Sequence, residues 1–330
     1  MTSRLRGART LTSPAHSIRS PAPGERPHEI YDFAGALFVK STARGFLGLD
    51  IGGSSSRARL VEGGRVVIEV EGPGANVAVL PKRTVEGRLG ALLDALGSIS
   101  PVACCAGSAG AEVPAGRQRL ERLLADLLPG CRITVVHDAR LVLAAGGFDS
   151  GIALVSGTGS VAYGRDPEGR EARVGGWGWL IGDDGSAAWL AREAAREVMR
   201  RSDAGKPIGR LGEAMLAATR STDTTGLVGS LHGLNEPLEW AELAVLVFEA
   251  AVDDPGAAML VERSADALAA LVELVREKLS LDGPVVLAGG QLLHQPRLEA
   301  EVRRRLGAAI RLDEPPVAGA VRLAELSPPS

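Results

Sequence analysis

The apolar positions change period along the chain, and the changes mark its elements. Residues 46–51, Phe-Leu-Gly-Leu-Asp-Ile, form a nearly unbroken apolar run of strand length, as expected of a strand covered on both faces. Gly52-Gly53 turns the chain, and residues 56–61 read as the returning strand. Gly63-Gly64 signals a second hairpin, followed by a third strand over 65–71. Gly72-Pro73-Gly74-Ala75-Asn76 reads as loop. Helical periodicity covers 83–96, a strand 101–106 ending at Gly107, and a helix 115–128. A strand at 132–136 and a helix at 138–145 complete the order β-β-β-α-β-α-β-α.

The order then begins again. Residues 151–155 read as a strand, Gly157-Thr158-Gly159 as a turn, and 160–164 as the returning strand. Residues 166–169 are another hairpin turn before a short strand near Ala172. Helices dominate 186–279. A strand at 284–287 ends at Gly289-Gly290, with a helix to about Leu306, a strand at 310–312 and a last helix at 317–326. Two Gly-turned hairpins about a hundred residues apart, each heading an α/β half, predict a duplication of topology rather than of sequence. Two such lobes face each other across a cleft, where ligands bind.

Composition narrows the classes. The 330 residues suffice for two lobes, and 45% hydrophobic with 3% aromatic content predicts a mostly aliphatic core. A net charge of -3 gives no argument for nucleic acid or an anionic membrane. No apolar run reaches the ~20 residues of a membrane span. Three cysteines, Cys104, Cys105 and Cys131, with no CxxC, predict buried thiols in a reducing cytoplasm. Residues 1–44 are rich in Ser, Pro and Arg and poor in acids; they read as a transit peptide, a disordered tail or an upstream over-assignment of the start.

The candidate chemistry concentrates in the glycines. Asp50-Ile51-Gly52-Gly53-Ser54 places a carboxylate at a strand end before a tight turn rich in N–H groups. Such turns cradle phosphate, and the carboxylate can hold Mg²⁺, often through water. Ser156-Gly157-Thr158-Gly159-Ser160 repeats these elements in the second half. Neither is a Walker A loop, since no GKS or GKT occurs. Neither is a dinucleotide fingerprint, because each turn leads into a strand and not a helix. Asp138 follows a strand and opens a helix, which fits an N-cap or a general base. His137 beside it reads as structural. Asn76 fits turn geometry, Trp177 and Trp179 fit either packing or the cover of a sugar face, and Asp183 or Asp184 fits a helix cap, a sugar hydroxyl or the metal.

Taken in order, Asp50-Ile51-Gly52-Gly53-Ser54, Ser156–Ser160, Gly175-Gly176-Trp177-Gly178, Gly182-Asp183-Asp184-Gly185-Ser186 and Ala288-Gly289-Gly290 resemble the eukaryotic-type N-acetylglucosamine kinases and the related BadF/BadG/BcrA/BcrD ATPase family. The resemblance covers about residues 46–326. It implies an α/β, two-lobed actin-like ATPase (ribonuclease H-like) fold, with duplicated βββαβαβα lobes around a central cleft. The expected division is a tail at 1–45, an N-terminal lobe at 46–149 that receives the last helix 315–326, and a C-terminal lobe at 150–314.

The resemblance also implies roles. Asp50 is the metal-associated carboxylate, reaching Mg²⁺ through water. Gly52, Gly53, Ser54, Thr158, Gly289 and Gly290 bind ATP, Ser54 standing where the family usually has Thr. Asn76, Asp138, Ser160, Gly176, Trp177, Gly178 and Asp183 bind the sugar, and Asp138 is also the general base. His137, where Asn often precedes the Asp, and the loose loop Gly107-Ser108-Ala109-Gly110 depart from the pattern on the sugar side. The activity implied is ATP-dependent phosphorylation of an amino sugar, N-acetylglucosamine first, glucosamine or N-acetylmuramic acid next. It implies ATP and Mg²⁺ as cofactors, a cytoplasmic location and a homodimer, with neither nucleic acid nor membrane as partner. Two other classes remain open. One is an ATPase that activates an acyl-CoA reductase or dehydratase, which would carry cluster-binding cysteines near the nucleotide motifs. The other is a sugar sensor without catalysis, which would need a DNA-binding domain that 1–44 does not resemble.

Overall fold

A computed structural model describes residues 45–326 apart from Ala109 and Glu112. The expectations for residues 1–44, and for position 109 in the loop after Gly107, lie outside the described residues.

The first half runs β1 (Gly45–Ile51), β2 (Ser55–Glu62), β3 (Arg65–Pro73), α1 (Lys82–Asp94), β4 (Pro101–Ser108), α2 (Pro114–Leu127), β5 (Arg132–His137) and α3 (Asp138–Ala145). The second repeats the three strands as β6 (Gly151–Ser156), β7 (Ser160–Arg165) and β8 (Glu171–Gly175). A helical insertion follows: α4 (Ala187–Asp203), α5 (Gly209–Thr219), α6 (Thr224–His232), α7 (Pro237–Glu242), α8 (Ala244–Ala250) and α9 (Pro255–Leu279). Then come β9 (Val285–Ala288), α10 (Gly290–His294), α11 (Pro296–Leu306), β10 (Ala309–Arg311) and α12 (Pro316–Leu326).

Among the described residues, ten strands form two five-stranded sheets, ordered β3-β2-β1-β4-β5 and β10-β9-β6-β7-β8. Read from opposite edges, these are the same topology. In each, an antiparallel meander of three strands adds two parallel strands beside its first member. The repeated secondary-structure order therefore does reflect a two-lobed duplication. β1 is central and nearly all buried, which explains its continuous apolar run, whereas edge strand β3 exposes alternate residues.

One expected element is split. The helix after Gly289-Gly290 breaks between α10 and α11 because Pro296 opens a new helix and cannot donate to the turn before it. The long helix α9 starts where Asp254 accepts from the N–H groups of Gly256 (2.9 Å) and Ala257 (3.3 Å). The same buried carboxylate takes both guanidinium nitrogens of Arg201, at 2.8 and 3.2 Å, tying α9 to α4.

Helix α3 is the hub. Leu141 and Ala144 face the first sheet and α12, packing with Cys105, Ala320 and Leu323. Ala139, Val142 and Leu143 face the second sheet, against Ala153, Tyr163 and Val286. Helix α12 completes this arrangement by returning to β1, β4 and α3. Two glycines permit that approach. A Cβ on Gly319 would stand 2.0 Å from the Leu141 carbonyl, and one on Gly48 2.7 Å from the Val317 carbonyl. An eight-residue helix gripped on both faces fixes the residue at its N-terminus, Asp138, between the two sheets.

Candidate active site

Asp50 is the penultimate residue of β1, and the register places Arg57 of β2 directly opposite it and Glu71 of β3 beyond. Register partners share a face of the sheet, so the three charges form a row. Arg57 meets Glu71 at 3.1 Å. The Gly52-Gly53-Ser54 turn is stapled by the following loop: Gly74 donates to the Ser54 carbonyl (3.0 Å) and Ala75 to the Gly52 carbonyl (3.2 Å). Only glycine fits at 74, since a Cβ would lie 2.0 Å from the Gly53 carbonyl. Asn76 follows; its Oδ1 accepts from the Ala78 N–H at 2.8 Å, the turn role its residue type predicts.

The second hairpin is held from its other side. The carbonyls of Gly157 and Thr158 accept from Ala187 (2.9 Å) and Ala188 (3.4 Å) in the first turn of α4. That helix is capped by Ser186, whose hydroxyl accepts from Trp189, so neither Asp183 nor Asp184 is the cap. Ser156, fully buried, donates to Gln291 Oε1 at 2.8 Å, linking the hairpin to α10. Gly289 (φ 92°) packs so closely that a Cβ would stand 2.4 Å from the Ser156 carbonyl. Strand ends β6 and β9 thus meet without side chains between them.

Two cavities open between these parts. One, of about 690 Å³, is lined by Asp50, Arg57 and Asp138 from the first half and Gly289, Gly290 and Asp313 from the second. The other, of about 420 Å³, has Gly157, Thr158 and Gly290 on one side and the apolar Leu238, Val245 and Phe248 of α7 and α8 on another. Gly290 and His294 line both, so the cavities adjoin.

Of the carboxylates that line the larger cavity, Asp50 and Asp138 differ. Burial, and then the Asp138 charge, push Asp50 up to about 6, against the pull of Arg57. For Asp138, burial also pushes upward but is outweighed. Its hydrogen bond to His137, the charges of His137 and Arg173, and the Ala139 N–H hold the carboxyl below its usual range. His137 Nδ1 lies 2.9 Å from Asp138 Oδ1 and 3.1 Å from the Ala139 nitrogen. One nitrogen cannot serve both as donor and as acceptor. Ala139 N–H already has Asp138 Oδ1 at 2.7 Å, so Nδ1 carries its proton toward the carboxylate. His137 is itself fixed by Tyr163, whose ring stacks at 5.3 Å and 13°. The result is one carboxylate held below its usual range and a second raised above it.

Asp183 joins the second hairpin to the tryptophan loop. It adopts the left-handed conformation (φ 57°) and is buried against Gly159, where a Cβ would meet Asp183 Oδ2 at 2.6 Å. Burial raises it, and the N–H groups of Gly178 and Ser160 with Arg173 and Arg192 oppose that rise. The Gly178 N–H donates to Oδ1 at 3.3 Å. Ser160 is buried, its hydroxyl donating to the Asp184 carbonyl at 2.7 Å. Trp177 stands out from the loop, with the Arg173 guanidinium 5.1 Å from its ring centroid.

Of the residues singled out in the sequence, Asp50, Asp138, Gly289 and Gly290 line the larger cavity and Thr158 and Gly290 the smaller. Gly52, Gly53, Ser54, Asn76, Ser160, Gly176, Trp177, Gly178 and Asp183 line neither. Ser160 and Asp183 act in the hairpin–loop junction, and Gly53, Ser54, Trp177 and Gly178 are exposed. Three residues escaped sequence reasoning: Arg57, Arg173 and His294. The alternation of β2 and β8 could have flagged the two arginines, by placing them on the faces of Asp50 and Tyr163.

The donor set fits a magnesium ion coordinated largely by others. Among the described residues no three acidic, His or Cys side chains cluster as a metal site. Mg²⁺ asks for less, one or two carboxylates with phosphate oxygens and water supplying the rest, and Asp50 provides one.

Residues 47–321 match the BadF/BadG/BcrA/BcrD ATPase family. The chain is 35% identical over 166 residues to the N-acetylmuramic acid/N-acetylglucosamine kinase of Clostridium acetobutylicum, a match covering 48% of this chain and 54% of that one. It is 28% identical over 198 residues to the N-acetyl-D-glucosamine kinase of Dictyostelium discoideum, covering 57% and 62%. The matched stretch thus spans little more than half the length of these curated relatives. A solved structure of a candidate N-acetylglucosamine kinase from Chromobacterium violaceum superposes with a TM-score of 0.70 at 25% identity, covering 86% of this chain and all of that one.

Proposed function

Since the chain belongs to the BadF/BadG/BcrA/BcrD ATPase family, we propose that it is an ATP-dependent kinase that phosphorylates an amino sugar, N-acetylglucosamine at its 6-hydroxyl before glucosamine or N-acetylmuramic acid. The observation that carries this reading is Asp138. It is an anionic carboxylate at the N-terminus of a helix clamped between two sheets, and it opens onto the same cavity as Asp50 and Gly289-Gly290.

In this reading the adenosine lies against the apolar side of the smaller cavity and the side-chain-free backbone of Gly289-Gly290. The N–H groups of Gly53, Ser54, Thr158 and Gly159 serve the phosphates, since those of Gly52 and Gly157 close their own turns on the Ser55 and Gly159 carbonyls. Asp50 would hold Mg²⁺ through water, and the ion would offset phosphate charge. Asp138 accepts the proton of the attacking sugar hydroxyl, and the His137 N–H orients the carboxylate. With little covalent chemistry asked of the protein, alignment and charge supply most of the rate. The lobes 46–149 with 315–326 and 150–314 close on the substrates and exclude water, so that ATP is not spent on hydrolysis. The tryptophan loop, with Asn76 and Asp183, reads the sugar. Such a kinase works in the cytoplasm, where ATP is available, and no described helix is long and apolar enough to cross a membrane.

The cysteines argue against the activator. Cys104 and Cys105 are buried in β4, Cys131 is half-buried, and burial raises all three thiols. A cluster site needs the opposite, thiolates gathered at the surface near the nucleotide. A coupled ADP-release assay with a panel of amino sugars tests the proposal. Sugar-dependent turnover supports it; equal ATP hydrolysis with and without every sugar sinks it.

A further inference from the structure

Arg173 reaches both halves of the site. It lies on β8 directly opposite Tyr163 of β7, and so on the same face of the second sheet. That face meets the N-terminal turn of α3: Tyr163 stacks on His137, and His137 contacts Asp138. Arg173 thus projects toward the base, and its charge acts on Asp138 and Asp183 alike. At its other end the guanidinium donates to the Gly176 carbonyl and lies over the Trp177 ring. Gly176 is left-handed (φ 67°), and a Cβ there would stand 2.9 Å from Arg173 Nη2, so the missing side chain makes room for the guanidinium.

Trp177 remains 68% exposed despite this contact. An indole covered by a cation on one face and open elsewhere presents an apolar surface, which the C–H face of a sugar ring can cover. Cation–π attraction and the bond to Gly176 hold it there before substrate arrives, so little ordering remains to be done on binding.

We propose that Arg173 is the positioning residue of the sugar subsite, fixing the 176–178 loop so that Trp177 offers its open face to the amino sugar. This rests on the amino-sugar kinase reading. Its consequence is a division of effects: losing Arg173 weakens sugar recognition and leaves nucleotide binding alone, because Arg173 lines neither cavity of the Gly289-Gly290 region.

The test is steady-state kinetics of wild type, Arg173→Met and Arg173→Lys, varying N-acetylglucosamine and ATP separately. Methionine keeps an apolar stem without charge or donors. It should raise the sugar KM about tenfold or more and leave the ATP KM within about twofold. Lysine, which keeps the charge but not the planar fork, should fall between. A spectroscopic arm runs beside it. Saturating sugar should change the indole emission of wild type, and that change should be absent in Trp177→Phe and reduced in Arg173→Met. An unchanged sugar KM in Arg173→Met, or sugar and ATP KM rising together, overturns the assignment and leaves the kinase reading intact. A wild-type protein inert with every amino sugar removes both. Should Arg173→Met fail to fold, the lysine variant and the Trp177→Phe emission decide.

Discussion

Replacing Asp138 by Asn separates chemistry from folding, because the site's geometry survives the change. Asn has nearly the same volume and keeps an acceptor for the Ala139 N–H at 2.7 Å and the His137 Nδ1–H at 2.9 Å. The clamp on α3 is made by Leu141, Ala144, Val142 and Leu143, which are untouched. What disappears is a proton acceptor. A positioned base is worth roughly 10²–10⁴ in rate. With alignment by the two lobes intact, kcat should fall by about 10³, or ~4 kcal/mol of barrier. ATP affinity, read with a fluorescent nucleotide, should hold within a few-fold, and the melting temperature should shift little. A second signature follows from Asp50. The Asp138 charge is the second cause of its rise to about 6, so removing that charge lowers the Asp50 pKa. Mg²⁺-dependent nucleotide binding by the variant should then persist to lower pH than in wild type. Near-normal turnover by Asp138→Asn would falsify the base assignment.

Other outcomes test the remaining joints. Asp50 sits above its unfolded value, so the metal-free fold binds that proton more tightly and loses stability as pH rises from about 4 to about 6; Mg²⁺ with ATP should cancel this trend in thermal melts, and identical pH profiles with and without them would count against Asp50 as the metal carboxylate. Gly319→Ala gains ~1 kcal/mol of helix propensity but forces Cβ to 2.0 Å from the Leu141 backbone; overpacking of ~1–3 kcal/mol or more should win, and a stabilised variant in urea melts would refute the close approach of α12. Gly289→Ala meets the Ser156 carbonyl at 2.4 Å from a left-handed backbone and should weaken ATP binding at least about tenfold, measured by calorimetry with ADP. Asp254→Ala uncaps α9 and removes the two-pronged partner of Arg201, whose Nε keeps Glu197 at 3.1 Å; roughly 2 kcal/mol or more of stability should be lost from the cap and the charged hydrogen bonds together, and a loss under about 0.5 would show that the pair is solvated.

The elements and their duplication are legible in the local sequence. Strand-length apolar runs, Gly-Gly turns and helical periods are local signals, and they survive because each reports which backbone groups must pair nearby. They place β1 to β3, β6, β7, the two hairpins and the helix opened by Asp138 within a residue or two of their observed ends, and put a short strand near Ala172, where β8 lies. One helix is expected where α10 and α11 are two, because periodicity runs through Pro296.

What the charges do follows from the fold. Asp50 and Asp138 are 88 positions apart in the chain, and nothing local says that their charges interact, or that one is raised while the other is held ionised. That split depends on burial and on His137, which local reasoning reads as a spectator and which the fold turns toward Asp138. Arg173 looks like an ordinary polar residue on a short strand until β8 pairs with β7 and sets it opposite Tyr163, the ring that stacks on His137, and over the tryptophan. Hydrogen-bonding period is written in consecutive residues, whereas electrostatic environment is set by neighbours that arrive only when the two sheets close on α3.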